Sequence, residues 1–85
     1  MAAYKILLKR SAAGELEKIP RKDLERIVAK IRALETNPRP MGCEKLSARE
    51  RYRIRQGSYR IVYEISDEEK TVRIFKIGHR GDVYR

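Results

Sequence analysis

The sequence predicts an α+β fold with one N-terminal strand, an α-helical hairpin and a three-stranded antiparallel meander, together forming a twisted, antiparallel four-stranded sheet. Three observations support this: an alternating segment near the N-terminus, two helical patterns separated by Pro20, and three alternating segments after residue 50. With 85 residues the chain has room for one modest core, so we expect residues 1–85 to form a single domain.

The N-terminal half predicts the edge strand and the hairpin. Residues 4–9 alternate in the manner of a half-buried strand at a sheet edge. Ser11 can cap a short helix through Lys18, and Pro20 interrupts that helix. A longer helix begins at Arg21, because apolar side chains then recur at helical spacing: Leu24, Ile27, Val28, Ile31 and Leu34.

The C-terminal half predicts three strands after a loop. Residues 37–50, "NPRPMGCEKLSARE", contain two prolines and a glycine and indicate the loop. The strands are "RYRIR" at 51–55, "YRIVYEIS" at 59–66 and "TVRIFKIG" at 71–78. The last strand has apolar residues on both faces, so we expect it to be central in the sheet.

Alternation within these strands predicts a cationic sheet face. If Tyr52, Ile54, Tyr59, Ile61 and Tyr63 pack on the helices, the opposite, open face holds Arg51, Arg53, Arg55 and Arg60. A period of two along the last strand places Ile74 and Lys76 on the open face and Phe75 and Ile77 on the helix side.

Composition favours an acidic partner. Lys and Arg number 21 against 12 Asp and Glu, a net charge of +9 that favours nucleic acid. The basic residues lie partly on strands, which argues against a membrane surface. Cys43 is the single cysteine and His79 the single histidine, so we expect no disulfide, metal or small-molecule cofactor. The composition is typical of a reducing cytoplasm, and we expect neither a signal peptide nor a membrane span.

A face of arginines suits RNA cleavage as well as binding. Each guanidinium can hold two phosphate oxygens and keeps its charge at any working pH. RNA carries its own nucleophile, the 2′-OH, so a protein need only accept its proton, stabilise the phosphate and protonate the leaving oxygen. His79 is of the residue type that titrates near neutrality, and it stands beside Arg80; Tyr84 could stack on an unpaired base.

The segments "YRIRQGSYRIVYEI" and "VRIFKIGHRGDVYR" resemble the RelE family of toxins, within the RelE/ParE superfamily. The resemblance covers nearly the whole chain and implies the RelE-like fold. It also implies a ribosome-dependent endoribonuclease, an mRNA interferase that cuts mRNA in the ribosomal A site through metal-independent attack of the 2′-OH. The implied partners are the ribosome, mRNA and a cognate antitoxin that forms an inhibitory complex.

The resemblance implies roles for particular residues. Arg60 resembles the arginine that stabilises the scissile phosphate, Arg80 the one that stabilises or protonates the leaving group, and Tyr84 the tyrosine that positions the substrate. Arg53 and Arg55 stand where other members carry lysines, one of them proposed as general base. We expect further RNA contacts from the following basic residues: Arg51, Lys76 and Arg85.

The general base remains open, because arginine does not release its proton at working pH. His79 and Lys76 are candidates, and so are the carboxylates Glu44 and Glu50, which the pattern favours as solvated loop residues. A reaction without a strong base, driven by charge stabilisation and alignment, is a further alternative.

Two other functions fit the same sequence. A ParE-like toxin of this fold would inhibit DNA gyrase, and a non-catalytic module would use the arginines only to bind RNA. The combination of Arg60, Arg80 and Tyr84 favours the ribonuclease, since a gyrase inhibitor has no need of that set. Fold alone does not choose among them.

Overall fold

The structure, a computed structural model, describes residues 3–46 and 50–79. Its elements along the chain are β1 (Lys5–Leu8), α1 (Arg10–Glu17), α2 (Arg21–Ala33), β2 (Glu44–Lys45), β3 (Arg51–Gln56), β4 (Tyr59–Ser66) and β5 (Thr71–His79). The strands form one sheet in the order β1-β5-β4-β3-β2. The predicted α+β class, the helical hairpin, the edge position of β1 and the central position of β5 are confirmed.

Two details of the predicted sheet are wrong. The sheet is mixed rather than antiparallel, because β1 pairs parallel with β5. It also has a fifth strand, β2, within the segment predicted as a loop. A short two-residue strand gives too brief an alternation to be distinguished from a loop by periodicity.

The start of α1 also differs from the prediction. The helix begins at Arg10, with Lys9 rather than Ser11 at the N-cap. The backbone N–H of Lys9 donates to the carbonyl of Ile74 at 3.0 Å, so pairing with β5 continues up to the helix. The strand therefore passes into the helix without an intervening loop.

The hydrophobic core lies between the helices and one face of the sheet. Its registered pairs include Ile54 with Ile61, and Tyr52 with Tyr63, whose rings stack with centroids 5.9 Å apart. The remaining core residues share nearly complete burial: Ala12, Ile19, Ile27, Ile31, Leu34, Ile65, Val72, Ile74 and Ile77. Burial of these side chains supplies most of the favourable free energy of folding.

A β-bulge changes the face that β5 presents. Val62 of β4 pairs with Lys76, but the next residue, Tyr63, pairs with Ile74, so Phe75 is the extra residue of the bulge. Ile74 and Ile77 are both buried in the core, whereas Phe75 lies over the open face beside Arg51. The period-two expectation for Phe75 and Ile74 is therefore wrong, and the one for Lys76 agrees with the observed register.

Helix α1 covers the edge of β5 beyond the end of β1. β1 pairs with β5 only as far as Leu8 and Ile74. Further along, the backbone N–H of Ile77 donates to a carboxylate oxygen of Glu15 on α1 at 2.8 Å. A helix side chain thus replaces a strand partner and satisfies a backbone donor at the sheet edge.

A polar cluster joins four separate segments at the other end of the sheet. The guanidinium of Arg39 donates to the hydroxyl of Tyr52 at 3.0 Å, to Asp67 at 2.8 Å and to Glu50. The hydroxyl of Tyr4 donates to the same Asp67 at 2.7 Å. Glu50 lies in a bend before β3 with its side chain 40% exposed, in agreement with the predicted loop position, and it is in addition a member of an ion-pair cluster.

The two carboxyl groups of this cluster, those of Glu50 and Asp67, have lowered pKa values in the folded protein. Hydrogen bonds from Lys45, Arg39 and Tyr52 lower the pKa of Glu50 from 4.5 to about 2. Hydrogen bonds from Arg39 and Tyr4 lower the pKa of Asp67 from 3.8 to about 2. Because the folded state binds fewer protons, these groups stabilise it above pH 4.5, and that contribution is lost as pH falls towards 2.

Within residues 3–46 and 50–79, neither helix is long and apolar enough to cross a bilayer.

We expect Arg39→Gln to lower the urea midpoint of unfolding at pH 7 and to flatten its decline between pH 5 and pH 2. The substitution removes a donor that the ionised carboxylates use, so fewer proton-linked contacts remain to be lost. Circular dichroism at a series of pH values measures both effects. The control is Arg21→Gln, since the ion pair of Arg21 with Glu25 lies on the exposed surface of α2 and contributes little to stability. An Arg39→Gln profile parallel to that of the wild type contradicts the assignment.

Candidate nucleic-acid interface

The open face of β3 and β4 carries the predicted arginines, and we call Arg51, Arg53, Arg55 and Arg60 the arginine face. In the β3–β4 register, Arg55 lies directly opposite Arg60, Arg53 opposite Val62, and Arg51 opposite Glu64. The structure therefore brings all four predicted arginines to one side of the sheet. Like charges in directly opposed positions are unfavourable in a sheet, and an anion bound between them would relieve the repulsion.

The arginines differ in burial. Arg60 is only 8% exposed, and the side chain of Arg53 is 13% exposed, while Arg55 is exposed. On its other side Arg60 pairs with Gly78, which contributes no side chain to the face. Packing thus limits the rotamers of Arg60 and Arg53, and it holds their positive charges in place before any ligand arrives.

Glu44 lies within the arginine face. It pairs with Arg53 across the β2–β3 ladder, and the Nε of Arg53 donates to its carboxylate at 3.1 Å, with a second contact from Nη2. The hydrogen bond and charge of Arg53, then the charges of Arg55 and Arg60, lower the pKa of Glu44. Because β2 pairs with β3, Glu44 lies on a strand rather than in the predicted loop, while its side chain is 61% exposed, in agreement with the predicted solvation.

An aromatic ring lies at the other end of the same face. The guanidinium of Arg51 lies over the ring of Phe75, 4.5 Å from its centroid, and Nη2 of Arg51 donates to Glu64 at 3.0 Å. The ammonium of Lys9 is 4.9 Å from the same centroid. Lys76 is on this face as well, with its Nζ 3.8 Å from Glu15. Cation and aromatic ring are thus paired at one end of the arginine face.

His79 does not join the arginine face. It pairs with Tyr59 at the end of β4, and their rings meet edge to face with centroids 5.1 Å apart. Tyr59 packs against the core, so this pair lies on the helix side of the sheet, one residue beyond Gly78. The other predicted site residues lie outside the described residues: Arg80, Tyr84 and Arg85.

The comparison with known proteins agrees with this architecture. A model of the family described as ParE toxin of type II toxin–antitoxin system, parDE, matches residues 6–84. The chain belongs to the ParE toxin family. The predicted membership of the RelE/ParE superfamily is thus confirmed.

Individual relatives of this ParE-family toxin resemble it over nearly its whole length. Toxin RelG of Mycobacterium tuberculosis is 32% identical over 85 residues, which is 96% of this chain and 97% of RelG. The toxin–antitoxin complex RelBE2 of the same organism gives a TM-score of 0.80 at 28% identity, covering 92% of this chain and 99% of the other. The isolated Escherichia coli RelE toxin gives a TM-score of 0.82 at 26% identity, covering 96% of this chain and 92% of the other.

Sequence patterns did not assign Phe75 or Glu15 to the open side of the sheet, and they named Glu44 only as a loop carboxylate among the candidate bases. The signal for Glu44 is Gly42, whose φ of 95° closes the turn that returns the chain to the sheet. Phe75 has no clear signal, because the bulge that turns it to the open side arises from the pairing of β5 with β4. Glu15 has no local signal, because it acts on a backbone group 62 residues away.

We expect Glu44→Gln to tighten binding of a single-stranded oligonucleotide by about two- to fivefold, because one negative charge leaves the arginine face. Fluorescence anisotropy with a 2′-O-methyl oligonucleotide, which lacks the nucleophile, measures binding alone. The affinity should fall steeply with salt, by a logarithmic slope of about −0.7 for each phosphate contacted. Glu25→Gln on α2 is the matched control. An unchanged or weaker affinity in Glu44→Gln contradicts the placement of the carboxylate in the binding face.

Proposed function

We propose that this type II toxin is a ribosome-dependent mRNA endonuclease that cleaves the message in the ribosomal A site. One observation carries the proposal: Arg53, Arg55 and Arg60 converge on a single sheet face, with Arg55 and Arg60 directly opposed. Such a set fits the doubly charged phosphorus centre that forms when a 2′-OH attacks the neighbouring linkage. The likeness to RelG and to the E. coli RelE toxin supports it.

The reaction needs no group beyond the RNA and the protein side chains. The 2′-oxygen attacks phosphorus, the bond from phosphorus to the 5′-oxygen of the next nucleotide breaks, and that oxygen takes up a proton. The products are a 2′,3′-cyclic phosphate and a 5′-hydroxyl. Arg60, and with it Arg53, stabilises the charge that accumulates on the phosphate oxygens, and their limited exposure strengthens that interaction.

Glu44 is the residue that we assign to accept the proton of the 2′-OH. It is ionised, it lies within the arginine face, and its hydrogen bond to Arg53 fixes its orientation. Its lowered pKa makes it a weak base, so the rate depends on alignment of the 2′-oxygen with the scissile bond. The ribosome would supply this alignment by holding the message in place.

The C-terminal motif supplies the remaining roles by its resemblance to the RelE family. We assign Arg80 to the leaving oxygen and Tyr84 to positioning of the substrate base. We assign the flanking phosphates to a set of basic residues: Arg51, Lys76 and Arg85. We assign no step at the phosphate to His79, because it lies with Tyr59 on the helix side of the sheet.

The proposed protein partner is a cognate antitoxin with an acidic contact surface. The RelBE2 structure of M. tuberculosis is a toxin–antitoxin complex, and its likeness to this chain supports an antitoxin partner. A net charge of +9 with opposed arginines on the open face favours an acidic inhibitor over an apolar one. Inhibition would then follow from occupation of the phosphate site.

The matching family's description, ParE toxin, favours gyrase inhibition as a second candidate. The test incubates the purified toxin with mRNA, with and without programmed ribosomes, and assays gyrase supercoiling in parallel. Codon-phased cuts that require ribosomes support the proposal. Intact RNA with inhibited supercoiling identifies a gyrase inhibitor, and RNA binding with neither effect identifies a binding module.

We expect Arg80→Ala and Tyr84→Ala each to relieve growth arrest without unfolding the protein, with cleavage reduced about 100-fold or more, because one removes the group at the leaving oxygen and the other the group that aligns the substrate. Single-turnover cleavage on programmed ribosomes measures the rate, and circular dichroism measures folding. Full arrest in both variants removes these residues from the site.

We expect Glu44→Gln to slow the same single-turnover cleavage about 100-fold or more while it tightens RNA binding, because the amide cannot accept the proton. Glu25→Gln is again the control. Cleavage at the wild-type rate in Glu44→Gln would assign the base to another group.

A further inference from the structure

A groove of about 390 Å³ lies beside the arginine face, between α1 and the open side of the sheet. Val62 and Phe75 form an apolar floor, and Leu46 lines one side. Basic side chains of Lys9, Arg51 and Lys76 line the rest, together with two polar groups on α1. Those two groups are Ser11 and Glu15. The groove therefore combines a flat apolar surface, positive charge and directed hydrogen-bonding groups.

We propose that this groove binds one nucleobase of the RNA, that of a nucleotide next to the scissile linkage. The proposal rests on the proposed function, and it adds a specificity site to it. The volume lies within the range typical of small-molecule sites. A base has apolar faces and a polar edge, which is the chemistry of the groove.

The floor of the groove offers a surface for stacking. Arg51 is held over Phe75 by its hydrogen bond to Glu64, so the groove contains both a guanidinium plane and an aromatic ring in fixed contact. Bases stack on aromatic rings and on guanidinium planes in proteins that bind unpaired RNA. The ammonium groups of Lys9 and Lys76 can meanwhile reach the phosphates on either side of the bound base.

The groove is one strand repeat away from the phosphate site. Val62 lies two residues after Arg60 on the same face of β4, and Arg51 lies two residues before Arg53 on β3. Two residues span about 6.8 Å along an antiparallel strand. A base attached to a nucleotide adjoining the scissile phosphate can therefore reach the groove while the phosphate contacts Arg60.

Glu15 supplies the group that reads the base edge. One of its carboxylate oxygens accepts the Ile77 N–H at 2.8 Å, which fixes the side chain. The other oxygen is 3.8 Å from Lys76 Nζ, and the side chain remains 32% exposed. A carboxylate only accepts hydrogen bonds, so it favours a base edge with adjacent N–H donors and disfavours carbonyl oxygens. Guanine, with its imino and amino groups side by side, fits best, and uracil fits worst.

The test measures single-turnover cleavage on programmed ribosomes with two series of messages. One series varies only the base before the cut, and the other varies only the base after it. We expect wild type to cleave the guanine message at least tenfold faster than the uracil message. Glu15→Gln, whose amide oxygen can still accept the Ile77 N–H, should reduce that preference to about twofold. Phe75→Leu should slow all messages about five- to 100-fold, the contribution of one stacked base. Phe75→Tyr keeps the ring and should keep the preference.

The outcomes separate this inference from the proposed function. Wild-type rates and preference in both Phe75→Leu and Glu15→Gln overturn the groove assignment while cleavage itself stands. Weakened antitoxin binding in Phe75→Leu, with cleavage unaffected, assigns the groove to the protein partner instead. Absence of ribosomal cleavage by wild type refutes the proposed function. In that case the binding of 2′-O-methyl oligonucleotides tests the groove as a base-binding site. Tighter binding of a guanine oligonucleotide, lost in Glu15→Gln, supports the inference. Equal affinities for guanine and uracil oligonucleotides overturn it.

Discussion

The register between β3 and β4 is the constraint on which the rest of the structure depends. Ile54 against Ile61 and Tyr52 against Tyr63 fix it from the core side. A slip of one residue would turn every core side chain of the strand to the open face and bury its arginines. The large free-energy cost of such a slip means that core packing, through the alternation of the strands, also determines where the positive charges converge.

The converging charges oppose stability, and the fold offsets them locally. Arg53 pairs with Glu44, and Arg51 pairs with Glu64, so two of the arginines have carboxylates beside them. Arg55 and Arg60 stand directly opposite each other, so two like charges adjoin at this point of the register. Side chains that destabilise the free protein and suit an anionic ligand are a common property of functional sites. The polar cluster around Arg39 is different, since its acids and bases match and serve to join segments.

Much of the fold and half of the site follow from the sequence, and the remainder has physical reasons. Helix α2 is predictable because its apolar residues recur with a period of 3.6, and the strands of the meander are predictable because theirs recur with a period of two. Each period fits one kind of secondary structure and fixes which face is buried. The arginine face follows from the same alternation. Strand β2 is too short to show a period, and the Phe75 bulge shifts the period within one strand. Glu15 depends on the position of α1 against β5, a tertiary relation that no local pattern contains.

The bulge and the short first strand together account for the neighbouring positions of the arginine face and the groove. Because β1 ends opposite Ile74, helix α1 lies beside the second half of β5 and brings Glu15 to the open side. Because the bulge begins at the next residue, Phe75 and Lys76 both face that side. Without the bulge, Phe75 would enter the core, and Arg51 would lose the ring beneath it. One extra residue therefore converts a plain basic sheet into a basic sheet with an aromatic recess, one strand repeat from the opposed Arg55 and Arg60.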